Sequence, residues 1–241
     1  MVKDTLYFDG FPKISKVNNK VISDTTLKSL DTPSTQQRGS LTNKLMSRLA
    51  LTSFLWFAAN ICYYGIHFTM SNLHGNIHLN FFLLVLAEIS ANLFTHLVAL
   101  PHLGRRRSLF VFLLLCSAVL ILSSLLPTSF NVLRIILTIV GKFSATANFN
   151  SIYFYTCELF PTNVRSTSLG VCSTLGRLGG MTSVFLAQLS WLSPLLPPAL
   201  MAVPALLSVG LSLLLPETRH STLPDTFHQA DNIGSDSQTL R

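Results

Sequence analysis

Long apolar stretches alternate with short polar segments between about residue 49 and residue 215 of the chain. Each stretch approaches the ~20 residues that an α-helix needs to cross the hydrocarbon core of a bilayer. The pattern predicts six membrane-spanning helices, at residues 50–70, 79–100, 108–126, 132–156, 166–190 and 195–215. Prolines at 194, 197, 198 and 204 interrupt the last one, so its start is the least well defined. We therefore predict an all-α integral membrane protein with six transmembrane helices.

Polar segments flank this apolar region on both sides. Residues 1–48 contain eight Lys/Arg, four Asp and no long apolar run, and residues 216–241 are polar again. Charged residues make up only 11% of the chain, whereas a soluble domain carries about a quarter. Mean hydropathy is +0.48. We predict an N-terminal segment at 1–48, a helical bundle at 49–215 and a tail at 216–241.

Lysine and arginine are unequally divided between the two ends of the predicted helices. Six spans place both termini on one side, which receives fourteen of the seventeen Lys/Arg, while the opposite loops receive none. Short cytoplasmic loops carry such an excess, so both termini are expected in the cytoplasm. These flanks also account for the net charge of +7, because the basic residues form no stripe with aromatics. We expect a lipid bilayer as partner and no nucleic acid.

Three ionisable residues, Glu88, Lys142 and Arg177, lie well inside the predicted spans. Such residues usually face a bundle interior or a water-filled cavity and mark a substrate or ion pathway. The alternative is a buried ion pair that only holds helices together. Arg177 is central in its span, and its planar guanidinium suits a carboxylate, which Glu88 or a substrate would supply. Arg134, near the outer end of its span, is expected to extend to the membrane surface.

Small and aromatic residues surround these charges in the sequence. Gly176 and Gly180 form a small-xxx-small pair that permits close approach of a neighbouring helix. Three candidate cavity residues share one face of the fourth predicted span: Lys142, Phe149 and Tyr153. Two tyrosines of the first predicted span, Tyr63 and Tyr64, are further candidates. We predict a cavity with aromatic walls and one centre of each charge. Ordinary helix packing is the alternative role for the aromatic residues.

A second set of charges lies at the cytoplasmic ends of the predicted helices. Its members are Arg105, Arg106, Arg107, Glu158, Arg165 and Glu217. They could lock helix ends together in one conformational state, or they could lie at headgroup level and influence topology alone. No catalytic motif and no metal-spaced Cys/His set appears, so we expect no enzyme activity, no cofactor and no metal site.

The segment GKFSATANFNSIYFYTCELFPTNVRSTSLGVCSTLGRLGG resembles the tenth and eleventh helices of the organic cation, anion and carnitine transporter family. That family belongs to the major facilitator superfamily. WFAANICYYG is similar to its seventh helix, GNIHLNFFLLVLAEISA to the eighth, HLGRRRS to the loop before the ninth, and LPETRHSTLPDT to the chain after the twelfth. The resemblance covers about residues 45–228. It implies the C-terminal half of a major facilitator superfamily fold, with residues 1–48 in place of the loop between the halves.

The resemblance also suggests a class of substrate. The position of Arg177 is Asp in many organic cation transporters and Arg in the anion and carnitine transporters. The position of Glu88 is Glu in cation and carnitine members. Having both residues implies a carnitine-like zwitterion as substrate, with organic anions next and cations as a further option. Lys142, Phe149 and Tyr153 match cavity-facing positions of the tenth helix.

Two departures from the family pattern accompany the resemblance. The superfamily loop pattern D-R-x-G-R-R reads PHLGRRR here, with Pro101 and His102 in place of the acid and the base. The eighth-helix segment reads AEISA where a proline is common, so the local kink is in question.

The resemblance implies transport of organic ions by alternating access at the plasma membrane. The chain would act as a half-transporter or fragment, with an N-terminal six-helix half or a full-length carrier as its partner. The rival hypothesis is a truncated, non-transporting membrane protein that pairs with or regulates full-length carriers.

Overall fold

The structure is a computed structural model of the 241-residue chain, and it describes residues 35–71, 75–127 and 129–216. These residues form seven α-helices and no strand. The helices are α1 (Thr35–Met70), α2 (Ile77–Phe94), α3 (Leu100–Leu103), α4 (Arg105–Leu125), α5 (Asn131–Leu159), α6 (Thr162–Gln188) and α7 (Leu196–Ser212). A π-helical turn, Thr95–Ala99, joins α2 to α3, and a 3₁₀ turn, Leu189–Trp191, follows α6. The predicted all-α fold is confirmed.

Among the described residues, five helices are long and apolar enough to cross a membrane. They are Leu45–Met70, Ile77–Leu103, Arg105–Leu125, Asn131–Leu159 and Val164–Trp191. These correspond to the first five predicted spans, and the chain is an integral membrane protein. The sixth predicted span contains α7, an apolar helix of 17 residues at the short end of the range for a crossing. A sixth crossing remains a prediction.

The first helix is longer than its hydropathy indicates. It begins at Thr35, whereas the first span was predicted to begin at residue 50. The sequence TQQRGSLTNKLMSR is polar but contains no proline, so it can continue a helix beyond the apolar region. Residues 1–34 and 217–241 lie outside the described residues. They make up most of the predicted N-terminal segment (1–48) and of the predicted tail (216–241).

The core of the compact unit Leu41–Arg241 is built around α1, the most buried of the membrane-length helices. One apolar cluster joins Leu55 and Trp56 of α1 to side chains of α4 and α5. A second cluster joins Ile61 and Ile66 of α1 to α4 and to Met201 of α7. Helix α4 also packs on α5 and α7, and α2 packs on α5. These contacts place both α1 and α2 against α5.

Glycines bring α6 against α1. A methyl group added at Gly176 would lie 2.6 Å from the side-chain amide nitrogen of Asn60, and one at Gly179 would overlap with the carbonyl oxygen of Phe57. At Gly180 it would lie 3.1 Å from the ring of Tyr64. The predicted close approach of a neighbouring helix is confirmed, and the neighbour is α1.

The departures from regular α-helix lie between α2 and α4, after the AEISA segment. Helix α2 is regular through Glu88, and the irregularity is the π-helical turn that follows it. Pro101, just beyond this turn, has no N–H to offer the preceding helical turn. Gly104 then adopts a φ of 86°, a left-handed conformation that favours glycine, and α4 begins at the next residue. The glycine of the PHLGRRR loop therefore makes a helix break.

Candidate functional site

Three helices meet at an ion pair in the apolar part of the bundle. The ammonium nitrogen of Lys142 on α5 lies 3.3 Å from Oε2 of Glu88 on α2. It also lies 3.3 Å from the centroid of the Tyr63 ring on α1. The Tyr63 hydroxyl donates a hydrogen bond to Oε1 of the same carboxylate. One carboxylate thus connects α1, α2 and α5.

The two ends of this ion pair differ in exposure. The Lys142 side chain is 1% exposed, and the Glu88 side chain is 31% exposed. Within the described part of the chain, the Lys142 ammonium makes no hydrogen bond, so the carboxylate and the ring face compensate its charge. Removing one partner of a buried pair costs ~3–5 kcal/mol, because the other charge is left uncompensated. Glu88 therefore has a structural role in addition to any contact with a substrate.

A polar contact nearby reinforces the α2–α5 pairing. The side-chain amide of Asn150 on α5 donates a hydrogen bond to the amide oxygen of Asn92 on α2. Asn92 lies one helical turn after Glu88, and Asn150 lies two turns after Lys142. Both positions thus follow the helical faces of the ion pair, and two polar links hold the helices in register.

An aromatic cluster lies beside the ion pair. The ring centroid of Phe149 lies 5.5 Å from that of Tyr63 and 5.6 Å from that of Trp56. The ring centroids of Trp56 and Tyr153 are 6.0 Å apart. Tyr63 contacts Tyr64 edge to face at 5.1 Å. Tyr64 is 41% exposed and Tyr153 is 44% exposed, so the cluster presents two phenol rings at the surface of the bundle.

The five predicted cavity residues Lys142, Phe149, Tyr153, Tyr63 and Tyr64 are therefore brought together around α1 and α5. Sequence reasoning missed Trp56, which contacts two of them and donates through Nε1 to Oγ1 of Thr156 at 2.9 Å. The available signal was spacing, because Trp56 precedes Tyr63 by seven residues and so shares its helical face.

Arg177 lies apart from the ion pair, on the exposed side of α6. It is near the middle of the Val164–Trp191 span and has no ion-pair partner among the described residues. The sequence left Glu88 or a substrate carboxylate as the partner of Arg177. Glu88 is paired with Lys142, so the predicted Arg177–Glu88 pair is wrong. The flanking Gly176 and Gly180 face α1, and Gly180 meets Tyr64. Arg177 thus lies less than one helical turn along α6 from the glycine that contacts Tyr64.

Arg134 is buried, contrary to the prediction that it extends to the membrane surface. Its side chain is only 5% exposed, and Nη2 donates to the carbonyl oxygen of Pro194 at 2.9 Å. The proline-rich turn before α7 covers the start of α5 and offers this carbonyl. That carbonyl attracts the guanidinium inward instead of leaving it to the headgroups.

The predicted cytoplasmic charge set is partly brought together. Nε of Arg105 lies 2.8 Å from Oε1 of Glu158, which joins the start of α4 to the end of α5. Arg106 donates to the carbonyl oxygen of Leu213, after α7. Nε of Arg165 donates to the Phe160 carbonyl oxygen at 3.3 Å. Glu217 lies outside the described residues, and a gating role for the set stays a prediction.

Comparison with curated proteins gives the family context. The chain is 38% identical over 179 residues to human "Organic cation/carnitine transporter 2", a match that covers 74% of this chain and 32% of the relative. It is 35% identical over 183 residues to mouse "Solute carrier family 22 member 21", covering 76% and 32%. It is 35% identical over 202 residues to human "Solute carrier family 22 member 16", covering 82% and 34%. Its curated homologues are solute carrier family 22 transporters.

No protein-family model matches the chain. The chain spans about one third of the length of the solute carrier family 22 relatives that it matches. The identities of 35–38% to these relatives confirm the family resemblance seen in the sequence. They are consistent with the C-terminal half of a solute carrier family 22 protein. These relatives are transporters and not enzymes, and they are organic ion carriers at the level of the family.

Proposed function

We propose that this chain provides the C-terminal, substrate-selecting half of an organic-ion transporter. The observation that carries the proposal is Arg177, exposed at mid-span on α6 and without an ion-pair partner among the described residues, on the helix whose Gly180 packs against Tyr64. A charge in the middle of a membrane span is costly in lipid, and such residues usually face a watery path. The homologues named for organic cations and carnitine support a path for organic ions.

The balance of charge favours a substrate that carries an anionic group. Lys142 and Glu88 neutralise each other, so the site is left with the positive charge of Arg177. The guanidinium can bind a carboxylate through two parallel hydrogen bonds. A quaternary ammonium would lie against the faces of Tyr64 and Tyr153, with the partly exposed Glu88 nearby. A carnitine-like zwitterion matches both features, and organic anions are the next class.

The proposed path lies on the side of the bundle formed by α2 and α6. These are the least buried of the five membrane-length helices. They flank α1, which carries Tyr63 and Tyr64. We propose that this side faces an N-terminal six-helix half across a water-filled cavity. In this arrangement Arg177 and the tyrosines form one wall of the substrate site.

Alternating access would then rock one half against the other around this wall. The Arg105–Glu158 pair at the proposed cytoplasmic end would stabilise one state. We propose a plasma-membrane location with both termini in the cytoplasm, from the excess of Lys/Arg on one side.

The second candidate function is a membrane protein that pairs with full-length carriers without transporting. The apolar surfaces of α2 and α6 favour it, because exposed side chains such as Phe82, Leu93, Met181 and Phe185 could pack on another bundle.

Uptake assays distinguish the two candidates. The chain would be expressed alone and with the N-terminal half of a carnitine transporter, and surface labelling would confirm delivery of both. We expect co-expression to give uptake of labelled carnitine or of an aromatic carboxylate well above that of tetraethylammonium. A surface-delivered pair that accumulates none of the three compounds would contradict transport and favour the pairing function.

A further inference from the structure

A small, partly open cavity lies between α1, α4, α5 and α7, apart from the aromatic cluster. Its volume is about 30 Å³. Apolar side chains such as Leu120 and Leu137 form much of its wall, and Arg134 is the charged residue that lines it. It shares no lining residue with the proposed substrate site.

Arg134 lines this cavity and has no acidic partner among the described residues. The side chain is 5% exposed, and its Nε is buried without a hydrogen-bond partner in the described part of the chain. One of its nitrogens donates to the Pro194 carbonyl. No acidic side chain is among the residues that line the cavity. A guanidinium is not deprotonated in proteins, so it cannot escape the cost of burial by becoming neutral.

The hydroxyl groups of the cavity differ in what they can offer. Thr69 and Thr138 donate their hydroxyl hydrogens to backbone carbonyls of their own helices, both at 2.8 Å. Ser123 also lines the cavity, and no such bond occupies its hydroxyl among the described contacts. Among the described contacts, Ser123 and the guanidinium of Arg134 are therefore the lining groups that retain unused hydrogen-bond donors.

The size of the cavity limits its occupant. A water requires ~10–15 Å³ of comparable volume, so about 30 Å³ admits one small ion or about two waters. Organic ligands occupy pockets of roughly 300–1,000 Å³, which excludes them here. Water would satisfy a hydrogen bond of Arg134 but would leave its charge without a counter-ion. A monatomic anion satisfies both.

We propose that this cavity binds a halide ion, chloride under physiological conditions, between Arg134 and Ser123. The ion serves as the counter-charge that none of the residues lining the cavity supplies. It stabilises the contact between the start of α5 and the turn before α7, where Arg134 also meets Pro194. This site is independent of the substrate path and goes beyond the proposed transport function.

Thermal unfolding of the purified full chain in chloride tests the site. Chloride would replace gluconate from 0 to roughly 300 mM at constant ionic strength, because a ligand that binds the folded state raises Tm in a saturable way. We expect a saturable rise of several degrees for the wild type. Arg107→Gln is the matched control, since it removes the same charge from an exposed position, and it should respond as the wild type does. Arg134→Gln should not respond.

Two further variants retain Arg134 in case its replacement prevents folding. Leu137→Phe places a ring in the cavity, and Ser123→Ala removes the free hydroxyl. We expect the first to abolish the chloride response and the second to weaken it. Anomalous diffraction from bromide-soaked crystals should give a peak beside Arg134. An equal chloride response in all variants, a wild type indifferent to chloride, or bromide bound only elsewhere would each overturn the proposal.

Discussion

The ammonium nitrogen of Lys142 lies 3.3 Å from the carboxylate of Glu88, and this pair joins α5 to α2 inside the bundle. The positive charge on α5 is thereby balanced within the protein. Arg177 on α6 has no such partner among the described residues and lies exposed at mid-span. We propose that the first pair chiefly provides stability and that Arg177 chiefly selects substrate.

Glu88→Gln should destabilise the bundle, because it leaves the buried ammonium of Lys142 without its counter-ion. We expect a loss below the ~3–5 kcal/mol typical of a fully buried pair, since Glu88 is 31% exposed. The measurement is the midpoint of thermal unfolding of the purified chain in detergent.

The double variant Glu88→Gln/Lys142→Met provides the control for this prediction. Methionine fills a volume close to that of lysine without the charge, and buried pairs replaced by apolar groups are often neutral in stability. The double variant should therefore be more stable than Glu88→Gln alone. Lys142→Met alone completes the comparison. If the loss of stability in the double variant equals the sum of the losses in Glu88→Gln and Lys142→Met, the two residues are not coupled.

Gly179→Ala should separate α6 from α1, because the added methyl group overlaps with the backbone carbonyl of Phe57, which cannot rotate away. A drop in Tm of the purified chain is the expected result. Gly170→Ala is the matched control on the same helix, since nothing lies within 4 Å of the added methyl group. It should be neutral or stabilising by up to ~1 kcal/mol, from helix propensity. Equal effects of the two substitutions would contradict the close helix contact.

Hydropathy and spacing were sufficient to predict the helical class and five spans, because each of these depends on local sequence. The shared face of Lys142, Phe149 and Tyr153 was also predictable from the 3.6-residue period. The partner of Glu88 could not be predicted in this way. Which helix lies beside α2 depends on packing across the whole bundle, and nothing near Glu88 in the sequence indicates Lys142 rather than Arg177.

Arg134 shows the same limit at a helix end. Its position near the end of a span favoured exposure to headgroups, but the turn before α7 folds over it and offers the Pro194 carbonyl. That turn is 60 residues away in the sequence. The extent of α1 was missed for a different reason, because hydropathy detects membrane crossing and not the polar helical turns that precede it.

Trp56→Phe should destabilise the chain while preserving the aromatic cluster. Phenylalanine retains much of the contact with Phe149 and Tyr153 but removes the hydrogen bond from Nε1 to Thr156. The Thr156 hydroxyl keeps its own hydrogen bond to the Ile152 carbonyl, so the expected loss is the ~0.5–1.5 kcal/mol of a typical hydrogen bond. Trp191→Phe is the control, because Trp191 is 82% exposed, and it should leave Tm nearly unchanged. Comparable losses in both variants would argue against the buried bond.

Reversal of the Arg105–Glu158 pair should show whether the two residues act together. Arg105→Glu and Glu158→Arg should each reduce uptake by the co-expressed pair, and the double reversal should restore part of it. Stability should change by only ~0.2–1 kcal/mol, because both side chains are partly exposed. If the double reversal is no better than the single variants, the ion pair has no part in transport.

The substrate preference of an Arg177→Asp variant tests the central claim most directly. The ratio of labelled carnitine uptake to tetraethylammonium uptake would be measured in cells that co-express the chain with an N-terminal half, at matched surface levels. The reversed charge should lower this ratio at least tenfold, whereas Arg177→Lys should reduce it less and Arg107→Asp should leave it unchanged. An unchanged ratio in a folded, surface-delivered Arg177→Asp variant would contradict the assignment of substrate selection to Arg177.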